Sequence, residues 1–135
     1  MRARLAIHCI SAAVLAALLA ASPQCARAFS PEAVECLDRA GDAAARLVCA
    51  ENEVKTQAKA LVAGVAKLKA LGDNRADELL LKSQTAWEAH RDAHCAWMAD
   101  RVRKDPQAQR LERSLCLAGA TEARVQELED YQSVP

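Results

Sequence analysis

The chain has 135 residues, with 18 basic and 18 acidic side chains, three histidines and six cysteines. Setting aside the first 28 residues leaves 15 basic against 18 acidic groups, net −3, which excludes the strongly basic character of a nucleic-acid or anionic-membrane binder. The 107 residues that remain suit one domain with one core. Their aromatics are Phe29, Trp87, Trp97 and Tyr131, so Ala, Leu and Val must do most of the packing.

Residues 1–28 read as a secretion signal: Arg2 and Arg4 precede an apolar run from Leu5 to Ala21, and Ala26-Arg27-Ala28 supplies a small-residue cleavage site. The expected mature protein is one domain over residues 29–135, periplasmic or secreted, with no stable membrane anchor after cleavage. Cleavage removes Cys9 and Cys25. It leaves Cys36, Cys49, Cys95 and Cys116, an even set suited to an oxidising compartment.

Ser30-Pro31-Glu32 opens a first helix, with serine as N-cap, proline at the first helical position and a carboxylate at the positive helix end. Gly41-Asp42 breaks it. From Ala43 to Leu71 the apolar residues Leu47, Val54, Ala58, Leu61, Val65 and Leu68 recur at spacings of three, four and seven, the seam of a long packed helix, and Gly72-Asp73-Asn74 ends it. A third helix is expected from about Arg75 to Lys104, with Leu80, Gln84, Trp87, Arg91, Cys95, Met98 and Val102 along one stripe. Asp105-Pro106 closes it, because a residue before proline is pushed out of the helical region. A fourth helix, from about Gln107 to Tyr131, carries Leu111, Leu115, Ala118, Val125 and Leu128. No segment alternates as a strand does. The expected fold is all-α, a small up-and-down helix bundle built from disulfide-stabilised helical hairpins.

Four cysteines permit three pairings, among which the sequence alone does not choose. Symmetry favours Cys36–Cys49 and Cys95–Cys116, since the midpoint of each pair falls at a helix-breaking turn and each pair would face itself across a hairpin.

Signals for catalysis are missing. With no Cys-x-x-Cys there is no thioredoxin-like site, haem-attachment motif or ordinary zinc ribbon. His90 and His94 lie one helical turn apart, but the sequence identifies no third or fourth ligand, so no metal site is assigned. A Gly-x-Ser-x-Gly elbow and a phosphate-binding glycine loop are both lacking, and no carboxylate pair stands out from the charged helix faces. No catalytic residue and no cofactor are expected. Gln84, Trp87 and Arg91 on the apolar stripe admit two readings, a ligand-contacting trio or a polar network that sets the register of the bundle. The rule that buried polar groups are hydrogen-bonded favours the second.

The run from Gln84 to Trp97, then Ser114-Leu115-Cys116-Leu117 and the stretch from Thr121 to Leu128, resembles the LprI-type lysozyme inhibitor family. That family is characterised by a Gln-x-x-Trp-x-x-x-Arg-x-x-x-Cys helix, a later Cys-Leu and a Thr-x-x-Arg-x-x-x-Leu ending. Here these are Gln84, Trp87, Arg91 and Cys95, then Cys116-Leu117, then Thr121, Arg124 and Leu128. One departure is visible: where family members often carry Asp-x-x-Leu-Asn-x-x-Tyr in the second helix, this chain has Glu53 to Ala60 and no tyrosine.

The resemblance implies a non-enzymatic protein that binds a cationic muramidase and blocks its cleft. An inhibitor needs a convex element to enter a concave cleft, and the loop from Arg103 to Gln109 fits, tethered by the favoured Cys95–Cys116 bridge. Its candidate contacts are Arg103, Lys104, Asp105 and Gln107, whose cations would meet the carboxylates of a glycosidase. Gly72-Asp73-Asn74 is the shorter alternative, and for both the plainer and favoured reading is a solvated helix connection, since charged loops are the norm on surfaces. The rival expectation is a cell-envelope interaction or scaffold module with no lysozyme target.

Overall fold

Each described helix starts at a side-chain cap. The structure, a computed structural model, describes residues 29–102 and 105–133; the expected signal segment, Arg103 and Lys104 lie outside the described residues. Helix α1 spans Pro31–Arg39, α2 Ala43–Leu71, α3 Asn74–Asp100 and α4 Pro106–Gln132, with no strand among the described residues. The Ser30 hydroxyl accepts the Ala33 N–H at 3.2 Å, Asp42 accepts that of Ala45 at 2.8 Å, Asp73 that of Ala76 at 2.8 Å, and Asp105 that of Gln107 at 3.0 Å. Such a cap contributes about 1 kcal/mol, and proline at the first position of α1 and of α4 costs no helical hydrogen bond.

The third helix is shorter than its sequence suggests, ending at Asp100 rather than near Lys104. The N–H groups of Arg101 and Val102 turn to Met98 O and Ala99 O, three residues back, which tightens and closes the last turn. Asp105, in extended conformation, caps α4.

Helix direction follows from a few contacts. Glu51 bonds Arg110 at 3.1 Å and Gly64 lies against Leu128, so α2 and α4 run parallel. Helix α3 is antiparallel to α4, as Arg91 meets Thr121 and Gln84 meets Arg124. Helix α1 folds back antiparallel on the start of α2. Both favoured disulfides are present, Cys36–Cys49 with Cα atoms 5.7 Å apart and Cys95–Cys116 with 5.5 Å, the usual span of such bridges.

Helix α4 is the central element, packed most extensively on α2 and less on α3, while α2 and α3 touch little. Leu61, Val125 and Leu128 form the core cluster, covered by Ala60, Val65, Leu68, Leu80 and Trp87. The stripe on α3 faces inward throughout. On α2 the seam needs one correction: Ala58 is exposed, and Gln57 beside it is buried. Ala58 lies at the edge of the apolar stripe, whereas Gln57 stands one turn before Leu61 and closer to its midline.

Candidate functional site

The six motif residues of α3 and α4 converge on one interface. Arg124, 7% exposed, sends its Nε to the Gln84 side-chain oxygen at 3.2 Å, one terminal nitrogen to Glu127 at 2.6 Å and the other to the Ser83 hydroxyl at 3.3 Å. Its guanidinium carbon lies 5.8 Å from the centre of the Trp87 ring, and that of Arg91 lies 5.0 Å from the same ring. Arg91 also reaches the Thr121 hydroxyl at 3.4 Å and the Asp92 carboxylate at 2.7 Å, while Thr121 donates to Leu117 O at 2.7 Å. Leu128, fully buried, belongs to the core cluster against which Trp87 packs.

Among the described residues every buried side-chain nitrogen and oxygen has a hydrogen-bond partner. The network is therefore spent on holding α3 against α4, and it agrees with the structural reading of Gln84, Trp87 and Arg91. The Arg124 hydrogen bond, helped by one from Tyr131, holds the Glu127 carboxyl below its usual range; the Tyr131 hydroxyl, donating to Glu127, is pushed up.

At the far end of the α3–α4 hairpin the surface changes character. Of the expected loop contacts, Asp105 caps α4 and Gln107 lies inside that helix, giving its N–H to the cap. Ala96, Ala99 and Asp100 of α3 face Pro106, Gln109, Arg110 and Arg113 of α4 across a shallow open groove. Beside it Trp97 stands on the surface with the Arg101 guanidinium 4.9 Å from its ring centre. Residues 96–113 carry five cations and three carboxylates, whereas the rest of 29–135 carries ten cations and fifteen carboxylates.

A family model described as lysozyme inhibitor LprI matches residues 36–128. The chain belongs to the LprI family. No curated protein and no solved structure matches it.

The LprI match runs from Cys36 to Leu128, and so takes in both disulfides and every residue of the α3–α4 network. Among the described residues no group of three or more His, Cys, Asp or Glu side chains is gathered as a metal would require, and no helix is long and apolar enough to cross a membrane. His90 and His94 stack with ring centres 6.0 Å apart. In the departing segment of α2, Ala60 packs at the edge of the core, so the missing tyrosine leaves a smaller side chain there.

Two buried polar residues of that segment escaped the sequence reading. Glu53 accepts hydrogen bonds from the Ser30 N–H and hydroxyl, both at 2.7 Å, and from the Gln57 side chain at 2.8 Å. Burial raises the Glu53 carboxyl, but the bonds from Gln57 and Ser30 together outweigh it and leave the group below its usual value. The available signal was spacing: Ala50, Glu53, Gln57 and Leu61 follow one another at helical intervals, as Gln84 and Arg91 do with Trp87 and Cys95.

Proposed function

We propose that this LprI-family protein is a non-enzymatic, exported inhibitor that binds a lysozyme and blocks its glycan cleft with the end of the α3–α4 hairpin. The observation that carries the reading is the family match over residues 36–128. Two disulfides agree with an oxidising compartment, and the sequence of residues 1–28 agrees with export. The hairpin end suits the task mechanically. The Cys95–Cys116 bridge stiffens both of its arms, and its local excess of cations, in a chain otherwise rich in carboxylates, complements a cleft that works with paired carboxylates.

The test is lysis of bacterial cell walls by a c-type lysozyme, and then by lysozymes of other types, with the disulfide-bonded protein in several-fold molar excess. Inhibition is expected, and alanine at Arg103 and Lys104 is expected to weaken it. Undiminished lysis with every lysozyme type rejects the reading. The second reading, a cell-envelope scaffold module, draws on the apolar side chains Val62, Leu71 and Leu79, all more than half exposed at the other end of the molecule. It predicts no inhibition and no effect of the Arg103 and Lys104 replacements.

A further inference from the structure

Helix α3 carries a second, outward stripe that its packing does not use. His90, His94, Trp97 and Arg101 follow one another at spacings of four, three and four, so they share one flank of the helix, and all four are exposed. The two imidazoles stack, the His94 ring centre lies 5.8 Å from that of Trp97, and the Arg101 guanidinium covers the same indole. The inward stripe of Gln84, Trp87, Arg91 and Cys95 already serves the α4 interface. Trp97 is 53% exposed, an arrangement that core packing does not explain. It is one of two tryptophans in the chain, and the other, Trp87, is packed beside the core.

We propose that Trp97 and Arg101, flanked by His94, form the anchor by which the hairpin end binds the acidic, sugar-binding cleft of a lysozyme; this rests on the inhibitor reading above. A cleft that holds a glycan offers apolar faces for sugar rings and carboxylates for the glycosidic bond. Trp97 supplies a flat apolar face and Arg101 beside it a permanent cation able to meet a carboxylate through two hydrogen bonds. Cys95, fully buried and bridged to Cys116, lies two residues before Trp97 in the same helix, so the backbone that carries the indole has little freedom to lose on binding. Tryptophan and arginine are also the side chains most often found to dominate binding energy at interfaces. The charge distribution favours this partner over a nucleic acid or an anionic lipid surface, because the mature sequence outside residues 96–113 has five more carboxylates than cations and would be repelled.

The experiment measures inhibition constants of the disulfide-bonded protein and its variants against the lysozyme that the unaltered protein inhibits most strongly. Trp97→Ala and Arg101→Glu are each expected to weaken inhibition about tenfold or more, and Trp97→Phe less, as a smaller flat ring is kept. Their melting temperatures should stay at that of the unaltered protein, since neither side chain is in the core. Val62→Ala, also at an exposed apolar side chain but at the other end of the molecule, should leave inhibition unchanged. If the unaltered protein inhibits while both Trp97→Ala and Arg101→Glu inhibit as well as it does, the anchor is wrong and the inhibitor reading stands. If the unaltered protein inhibits no lysozyme, both fail together.

Discussion

Glu53 grips Ser30 from 23 positions along the chain, one carboxylate oxygen taking the Ser30 N–H and the other its hydroxyl, each at 2.7 Å. The same hydroxyl accepts the Ala33 N–H that begins α1. A single buried carboxylate on α2 therefore orients the residue that caps α1, and the Cys36–Cys49 bridge ties the other end of α1 to the same helix. Replacing Ser30 by alanine removes both a helix cap and a charge-assisted bond, and is expected to cost about 2–3 kcal/mol in urea unfolding.

The Glu53 carboxyl lies below its ordinary value of 4.5 in the folded protein, because its hydrogen bonds outweigh the cost of burial. A depressed folded value means that the unfolded chain binds the proton more readily. The contribution of Glu53 is thus fully present above about pH 5 and is lost as the pH falls through 4.5 to the folded value. Glu53→Gln should flatten the acid limb of a stability-versus-pH curve and lower stability at pH 7. An acid limb identical to that of the unaltered protein would show that Glu53 is not the group responsible.

Arg124 is expected to be the most sensitive polar residue of the α3–α4 interface. Arg124→Ala leaves Gln84 without its partner and uncovers one face of the Trp87 contact, at an expected cost of about 2–4 kcal/mol by chemical denaturation. Arg124→Lys should recover less than half of that, since an ammonium cannot reach Gln84, Ser83 and Glu127 from one planar fork. In Arg124→Ala the Glu127 carboxyl should titrate closer to its ordinary value, as followed by carbon-detected magnetic resonance, because the Arg124 bond is the largest cause of its lowering.

The two disulfides close loops of 13 and 21 residues and should each contribute about 2–4 kcal/mol. The core they reinforce is small. Replacing Cys95 and Cys116 together by alanine should lower the melting temperature by roughly 10 °C or more, on a scale of 4–8 °C per kcal/mol for a domain of this size. Loss of the Cys36–Cys49 bridge should instead free α1 locally, raising amide exchange there while α3 and α4 stay protected.

Gly64 sits within α2 where a methyl group would meet Leu128 side-chain atoms at 3.5 and 3.7 Å, ordinary contact distances. Gly64→Ala should therefore stabilise the protein by about 0.5–1 kcal/mol through helix propensity alone. Gly64→Leu, too large for that gap, should destabilise it. A destabilised alanine variant would mean that α2 and α4 are closer than these distances indicate.

What the sequence determined by itself is what can be read within a few residues along the chain. Ser30, Asp42, Asp73 and Asp105 start the helices and Gly72 ends one, because capping is a bond between a side chain and a backbone group two or three positions away. The disulfides present are the two that symmetry about the turns favoured, although spacing alone left three pairings open. The α3 stripe suggested a polar network at Gln84, Trp87 and Arg91, but that Thr121 and Arg124 of α4 are the residues that meet it came from the structure.

The tertiary structure alone decided how each helix is rotated and which neighbour covers it. Periodicity marks a face on α2 but does not separate Ala58 from Gln57, whose positions differ by less than a third of a turn, and only the packing of α4 put Gln57 inside and Ala58 outside. Glu53 reads as one more surface carboxylate until Ser30 is folded onto it from 23 residues away. Helical spacing puts Trp87 on the α3 stripe and Trp97 off it, but does not say what covers either residue. One lies beside the core and the other on the surface because α4 covers only one side of α3, and burial depends on what approaches a side chain from elsewhere in the chain.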